Sequence, residues 1–135
     1  MPGIDECLTE AMTLPGARGA WLVDWNSGLA LGTAGESPVG DHETTAAETA
    51  ELARAAAEFD SFTAAADADG DDGDDGEPPV EDLIVTTRAG YHVLRFVRTS
   101  FDSSVFLHLW LDRATGNLAL ARIRLGDLAE RLVLG

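Results

Sequence analysis

The stretch Glu81–Asp112, "EDLIVTTRAGYHVLRFVRTSFDSSVFLHLWLD", decides the fold. Runs rich in branched and aromatic residues at 81–89, 91–99 and 104–112 are broken at Ala89-Gly90 and at Phe101–Ser103. Such runs predict strands, and breaks this short leave no room for a crossover helix, so the strands form an antiparallel meander. "VLRFV" and "LHLWL" set apolar side chains on both sides of their strands. A sheet that is apolar on both faces must be covered twice, which calls for helices above and below it. With Thr99 opposite Ser104, the hairpin sets Arg95 across from His108 and Val93 across from Trp110.

Upstream, "ARGAWLVDW" (17–25) reads as a strand with Trp21, Val23 and Trp25 on one side and Ala20 and Leu22 on the other. Asn26–Gly28 is turn chemistry, in which Gly28 supplies a positive φ, and "LALGTAG" (29–35) returns as a shorter strand. Ile4, Cys7, Leu8, Ala11 and Met12 recur at helical spacing, giving a short first helix that stops at Pro15-Gly16. Asp41–Phe62 predicts the longest helix, with Thr45 and Glu48 fitting a capping box and Asp41 as a competing N-cap. From Thr115 onward, Leu118, Ala121, Leu125, Leu128 and Leu132 mark a terminal helix with Asp112 or Thr115 as its cap. "LALARIRL" would also suit a strand, but the helical phase continues to Val133. The chain, residues 1–135, is therefore a single α/β domain in the order α-β-β-α-β-β-β-α, with its five strands sandwiched between helices.

The central helix carries more apolar surface than one sheet needs. Ala46, Ala50, Ala53 and Ala57 form a small-residue stripe beside a bulkier one of Leu52, Ala56 and Phe59. Together they span about half the circumference, wider than the ~100° that covers a sheet. Glu51, Arg54 and Glu58 complete a solvated face. The Ala stripe suits two uses: close approach by a helix from a second copy, or tight seating on the chain's own sheet.

The charge balance excludes whole classes of partner. Across 135 residues the formal net charge is −15, and all nine basic residues are Arg. Nucleic acid and anionic membranes need a basic surface, so neither is a partner. No apolar run approaches the ~18 residues of a membrane span. The N-terminal sequence "MPGIDECLTEAM" lacks the cationic start and apolar core of a signal peptide, so a cytoplasmic location is expected. The lone Cys7 permits neither an internal disulfide nor a multi-thiolate metal site, and reads as a packing residue.

Residues 66–79, "ADADGDDGDDGEPP", hold seven of the carboxylates. An EF-hand loop begun at Asp67 would meet Asp72 where the turn needs Gly and Pro78 where a bidentate Glu belongs, and a strand follows it where a helix should. The run reads instead as a mobile, solvated loop joining the central helix to the third strand. A calcium-responsive protein stays open as an alternative, and it predicts a chelator-sensitive melting temperature. His42 lies between Asp41 and Glu43, but consecutive helical residues diverge by about 100° and do not converge on a metal. His92 and His108 fall in strands. The chain has no Lys, no phosphate-cradling Gly-rich loop and no G-x-S-x-G elbow. No catalytic residue, metal site or cofactor is predicted, and elimination leaves a binding module. One alternative is a small-molecule sensor resembling profilin-like or PAS-like domains, with a pocket near Trp21, Arg95, His108 and Trp110.

Three segments carry a resemblance. "GARGAWLVDWNSGLALGTAG" (16–35), the Ala-rich helix 44–59 and "VFLHLWLDRATGNLALARIRLGDLAERL" (105–132) resemble the Roadblock family, the domain of dynein light chains and of bacterial partners of Ras-like GTPases. Asp24, Gly28 and Leu29 occupy the family's turn positions, and Asn117-Leu118-Ala119 with Ala121-Arg122 match its last segment most closely. The resemblance implies a five-stranded antiparallel sheet with the central helix on one face and the terminal helices on the other. It implies a homodimer that pairs central helices through Ala46, Ala50, Ala53 and Ala57 and aligns third strands through Leu83, Val85 and Thr87. It further implies a non-enzymatic regulatory or scaffold protein that binds and modulates a small Ras-like GTPase, with no cofactor. The acidic insertion departs from the family pattern immediately before the dimer strand.

Overall fold

The computed structural model describes residues 3–63, 79–98 and 104–132. Apart from Pro79, the acidic stretch 66–79 lies outside the described residues, as do Thr99 and the turn 101–103. Among the described residues the elements are α1 (Ile4–Ala11), β1 (Ala17–Asp24), β2 (Leu29–Gly35), α2 (His42–Glu58), β3 (Asp82–Thr86), β4 (Gly90–Val97), β5 (Val105–Asp112) and α3 (Leu118–Arg131). This is the predicted α-β-β-α-β-β-β-α order. Residues 60–63 add a further helical turn.

The strands form one sheet in the order β2-β1-β5-β4-β3, with every neighbouring pair antiparallel. The meander supplies β3, β4 and β5, and the N-terminal hairpin docks β1 against β5 with Trp21 opposite His108. That docking makes β5 the central strand, and Val105 through Leu111 are all buried. Along β5 the side chains alternate between two cores. Val105, Leu107, Leu109 and Leu111 join Cys7, Leu8, Ala11, Ala121, Leu125 and Leu128 beneath α1 and α3. Phe106 and Trp110 join Trp21, Val23, Leu94 and Phe96 beneath α2. The two-sided apolar strands are thus explained by two covered faces.

Local chemistry sets the ends of the helices. Asp41 is the N-cap of α2, and its carboxylate accepts from the Glu43 N–H at 3.1 Å and the Thr44 hydroxyl at 2.7 Å. The alternative cap, Thr45, lies inside the helix instead, buried and bonded to the Ser37 hydroxyl at 2.8 Å. The helix ends at Glu58, before the expected Phe62, because Phe59 turns to an extended conformation. Asn117, rather than Asp112 or Thr115, caps α3 by accepting from the Leu120 N–H at 3.0 Å. Asp112 folds the preceding turn, accepting from the Ala114 and Thr115 N–H groups and the Thr115 hydroxyl. Gly28 takes the positive φ its turn requires, at +78°.

The register of the β4–β5 hairpin differs from expectation by one residue. Arg95 faces Leu107, Val93 faces Leu109, and His108 faces Leu94. A slip of one residue exchanges the faces of a strand. Arg95 accordingly lies on the α3 side, where its guanidinium approaches Gly126, away from His108 and Trp110.

A candidate interaction surface on α2 and the β3 edge

The small residues of α2 point inward. Ala46, Ala50 and Ala53 are 0%, 2% and 0% exposed, packed on Trp21, Val23, Phe106 and Trp110, with Ala57 at the margin of the same cluster. The Ala stripe is therefore used within the chain: small residues on the helix admit the large aromatics of the sheet. What α2 turns outward is different. Glu48, Glu51 and Glu58 are exposed, and beside them stand Leu52 at 41% and Phe59 at 55% exposure. Arg54 lies half-buried and bends back to donate to the Trp25 carbonyl at 3.3 Å, so its guanidinium is held against the end of β1.

The second part of the surface is β3. As the last strand of the sheet it pairs only with β4 among the described residues, leaving one row of backbone N–H and C=O groups facing outward. Leu83 and Val85 are half-buried, with Leu83 packed against the cluster beneath α2, and Ile84 is exposed. Thr87 falls just beyond the strand and is exposed, its N–H donating to the Gly90 carbonyl at 2.8 Å. An ion pair of 2.7 Å between Arg122 and Asp82 ties the edge strand to α3, and Asp82 raises the Arg122 pKa through that hydrogen bond.

The predicted small-molecule pocket is filled by its own side chains. Trp21, His108 and Trp110 do come together, at 0%, 1% and 6% exposure, but Arg95 is on the other face. His92 and His42, which were not expected there, take part instead. The His92 Nδ1 lies 2.8 Å from the His108 Nε2, His108 stacks on Trp21 at 4.5 Å, and the Trp21 indole N–H donates to the His42 Nδ1 at 2.8 Å. Burial holds the His92 pKa below its usual value, and burial with the neighbouring His92 holds His108 well below. The diagonal pairing of His92 with His108 was hidden by the register alone.

Among the described residues no group of His, Cys, Asp and Glu could hold a metal ion. Cys7 is buried in the α1–α3 core, which pushes its thiol up to about 11 and leaves it protonated at neutral pH. No helix among the described residues is long and apolar enough to cross a membrane.

No protein-family model matches the sequence, and no curated protein matches it at a significant level. Solved structures do resemble the fold. Myxococcus xanthus MglB superposes with a TM-score of 0.61 at 23% identity, covering 91% of this chain and 77% of that one. A Roadblock/LC7 domain from Streptomyces avermitilis gives a TM-score of 0.59 at 17% identity, covering 96% of this chain and 93% of that one. A structure of MglB with tetrameric arrangement gives 0.59 at 21% identity, covering 93% and 87%. The order of elements, the antiparallel sheet and these likenesses together show that the chain has the Roadblock/LC7 fold.

Proposed function

We propose that this chain is a non-enzymatic regulatory or scaffold protein, a homodimer that binds and modulates a small Ras-like GTPase. The observation that carries the reading is the exposure of Leu52 on α2, of Phe59 at its C-cap, and of the edge of β3 that is unpaired among the described residues, on a fold shared with MglB. The tetrameric arrangement of an MglB structure adds a precedent for self-association through this fold. The dimer contact runs through the outer side of α2, next to Ala57, and through Leu83, Val85 and Thr87 along the edge strand. Ala46, Ala50 and Ala53 act from beneath, by setting how closely the helix rides on the sheet.

Any effect on GTP hydrolysis then works by positioning the GTPase's own groups. Arg54, the single Arg on α2, is bonded to the Trp25 carbonyl and does not project as a finger. The chain contributes no cofactor, and its location is the cytoplasm. The deciding experiment measures mass in solution, then co-purification with a Ras-like GTPase and that GTPase's turnover. A dimer that co-purifies and alters turnover is expected. A stable monomer that neither binds nor changes turnover sinks the reading.

A further inference from the structure

His42, His92 and His108 meet Trp21 and Trp110 between α2 and the sheet, and partner binding gives them no task. Their hydrogen bonds fix where the protons sit. An indole nitrogen can only donate, so the His42 Nδ1 that receives the Trp21 N–H carries no proton. The His42 proton is on Nε2, which donates to the Gly35 carbonyl at 3.1 Å. His42 thus joins β1, the end of β2 and the first turn of α2, and does so only as a neutral ring. The His92–His108 bond likewise shares one proton between facing nitrogens 2.8 Å apart. The other nitrogen of His108, Nδ1, is buried with no partner among the described residues.

We propose that this cluster is a proton-operated clasp: its neutral imidazoles fasten the first turn of α2 to the sheet, and acidification releases that turn. A second proton on His42 would set two N–H groups against each other at the Trp21 contact. A charged His108 would carry an N–H at Nδ1 with nothing to receive it. Of the surrounding charges, the Asp41 carboxylate interacts with His42, whereas burial and His92 are what act on His108. On β1, the Arg18 guanidinium stacks on Trp110 at 4.1 Å and pairs with Glu36 at 3.2 Å. On α2, Asp41 and Glu43 flank His42, with Asp41 bonded to Thr44 and the Glu43 N–H. On β4, His92 adds another ionisable ring, and Arg95 is on the opposite face. On β5, His108 itself stands between Phe106 and Trp110 on this face.

Burial lowers the affinity of His92 and His108 for protons in the folded state. At these two groups the unfolded chain therefore binds more protons as pH falls below about 6.5, and the stability held by the neutral His92 and His108 rings is progressively lost there. The rest of the molecule responds oppositely. A chain with net charge −15 and a pI near 4.2 loses self-repulsion on mild acidification.

The test is hydrogen exchange by NMR, corrected for the intrinsic pH dependence of exchange, at about pH 7.5 and about pH 5.5. In the wild-type protein, protection of the Trp21 indole N–H and of the Thr45 and Ala46 amides is expected to fall about tenfold or more, while the β5 amides stay protected. His42→Gln can accept from Trp21 and donate to Gly35 without titrating, and His92→Asn keeps an acceptor for His108. The double variant is expected to hold the first turn of α2 at the lower pH. Unchanged protection in the wild-type protein overturns the clasp, as does an equal loss in a folded double variant. Should the variants not fold, the wild-type comparison decides alone.

Discussion

At Gly126 the sequence suggests a flaw and the structure supplies a reason. Gly inside a helix costs ~1 kcal/mol against Ala, yet a β-carbon here would come within 3.3 Å of the Arg95 guanidinium. The obstacle is the tip of a flexible side chain, which can move by a few tenths of an ångström. Gly126→Ala should therefore raise stability by about 0.5–1 kcal/mol, read as a higher midpoint in urea. At Gly90 the same change meets backbone, because a β-carbon would lie against the Leu111 carbonyl oxygen. Gly90→Ala should cost about 2–3 kcal/mol by the same measurement, and an equal response at the two glycines would discredit the distinction. Gly28 was legible in the sequence because a two-strand turn demands a positive φ. The cap of α3 was not, because Asp112, Thr115 and Asn117 all have capping chemistry and only the path of the turn selects Asn117.

At the scale of elements, strand and helix positions were readable while strand register was not. Alternation fixes register only where one face is polar, and "VLRFV" and "LHLWL" are apolar on both faces. Shifting β4 by one residue leaves apolar side chains on each side, so composition could not place Arg95 or reveal that His92 meets His108. The helix α2 posed a related difficulty. Its apolar arc was visible, but which part faces inward follows from the size of the sheet residues opposite. The two parts of that arc should separate experimentally. Ala50→Leu places volume against a filled core and should destabilise the folded chain by about 1–3 kcal/mol. Leu52→Glu, on the exposed flank, should leave stability within about 0.5 kcal/mol while shifting mass in solution towards the monomer. If Leu52→Glu leaves a wild-type dimer intact, this flank of α2 is not the contact.

For the whole molecule, charge sets the background against which folding and association occur. The run Asp67–Glu77 supplies −7 of the net −15, leaving −8 on the remainder. Salt screens repulsion among exposed charges, so the melting temperature should rise as NaCl is increased from about 0.05 M to about 0.5 M. A flat or falling curve would mean that local ion pairs such as Arg131–Glu10, at 2.9 Å, outweigh the overall excess. At stronger acidity the direction reverses. Hydrogen bonds from Thr44 at Asp41, and from Thr115 at Asp112, hold those carboxylates below their usual pKa. Their contribution is present above the unfolded pKa near 4 and disappears as pH falls through the folded value.

The close seating of α2 on the sheet also makes a statement about ancestry. Three alanines on the helix share one compartment with Trp21, Phe106 and Trp110, and a packed compartment conserves volume before it conserves identity. Among homologues, a larger residue at position 46, 50 or 53 should therefore occur with a smaller one at 21, 106 or 110. That inverse coupling of sizes would trace the helix-to-sheet distance through the lineage, independently of any partner.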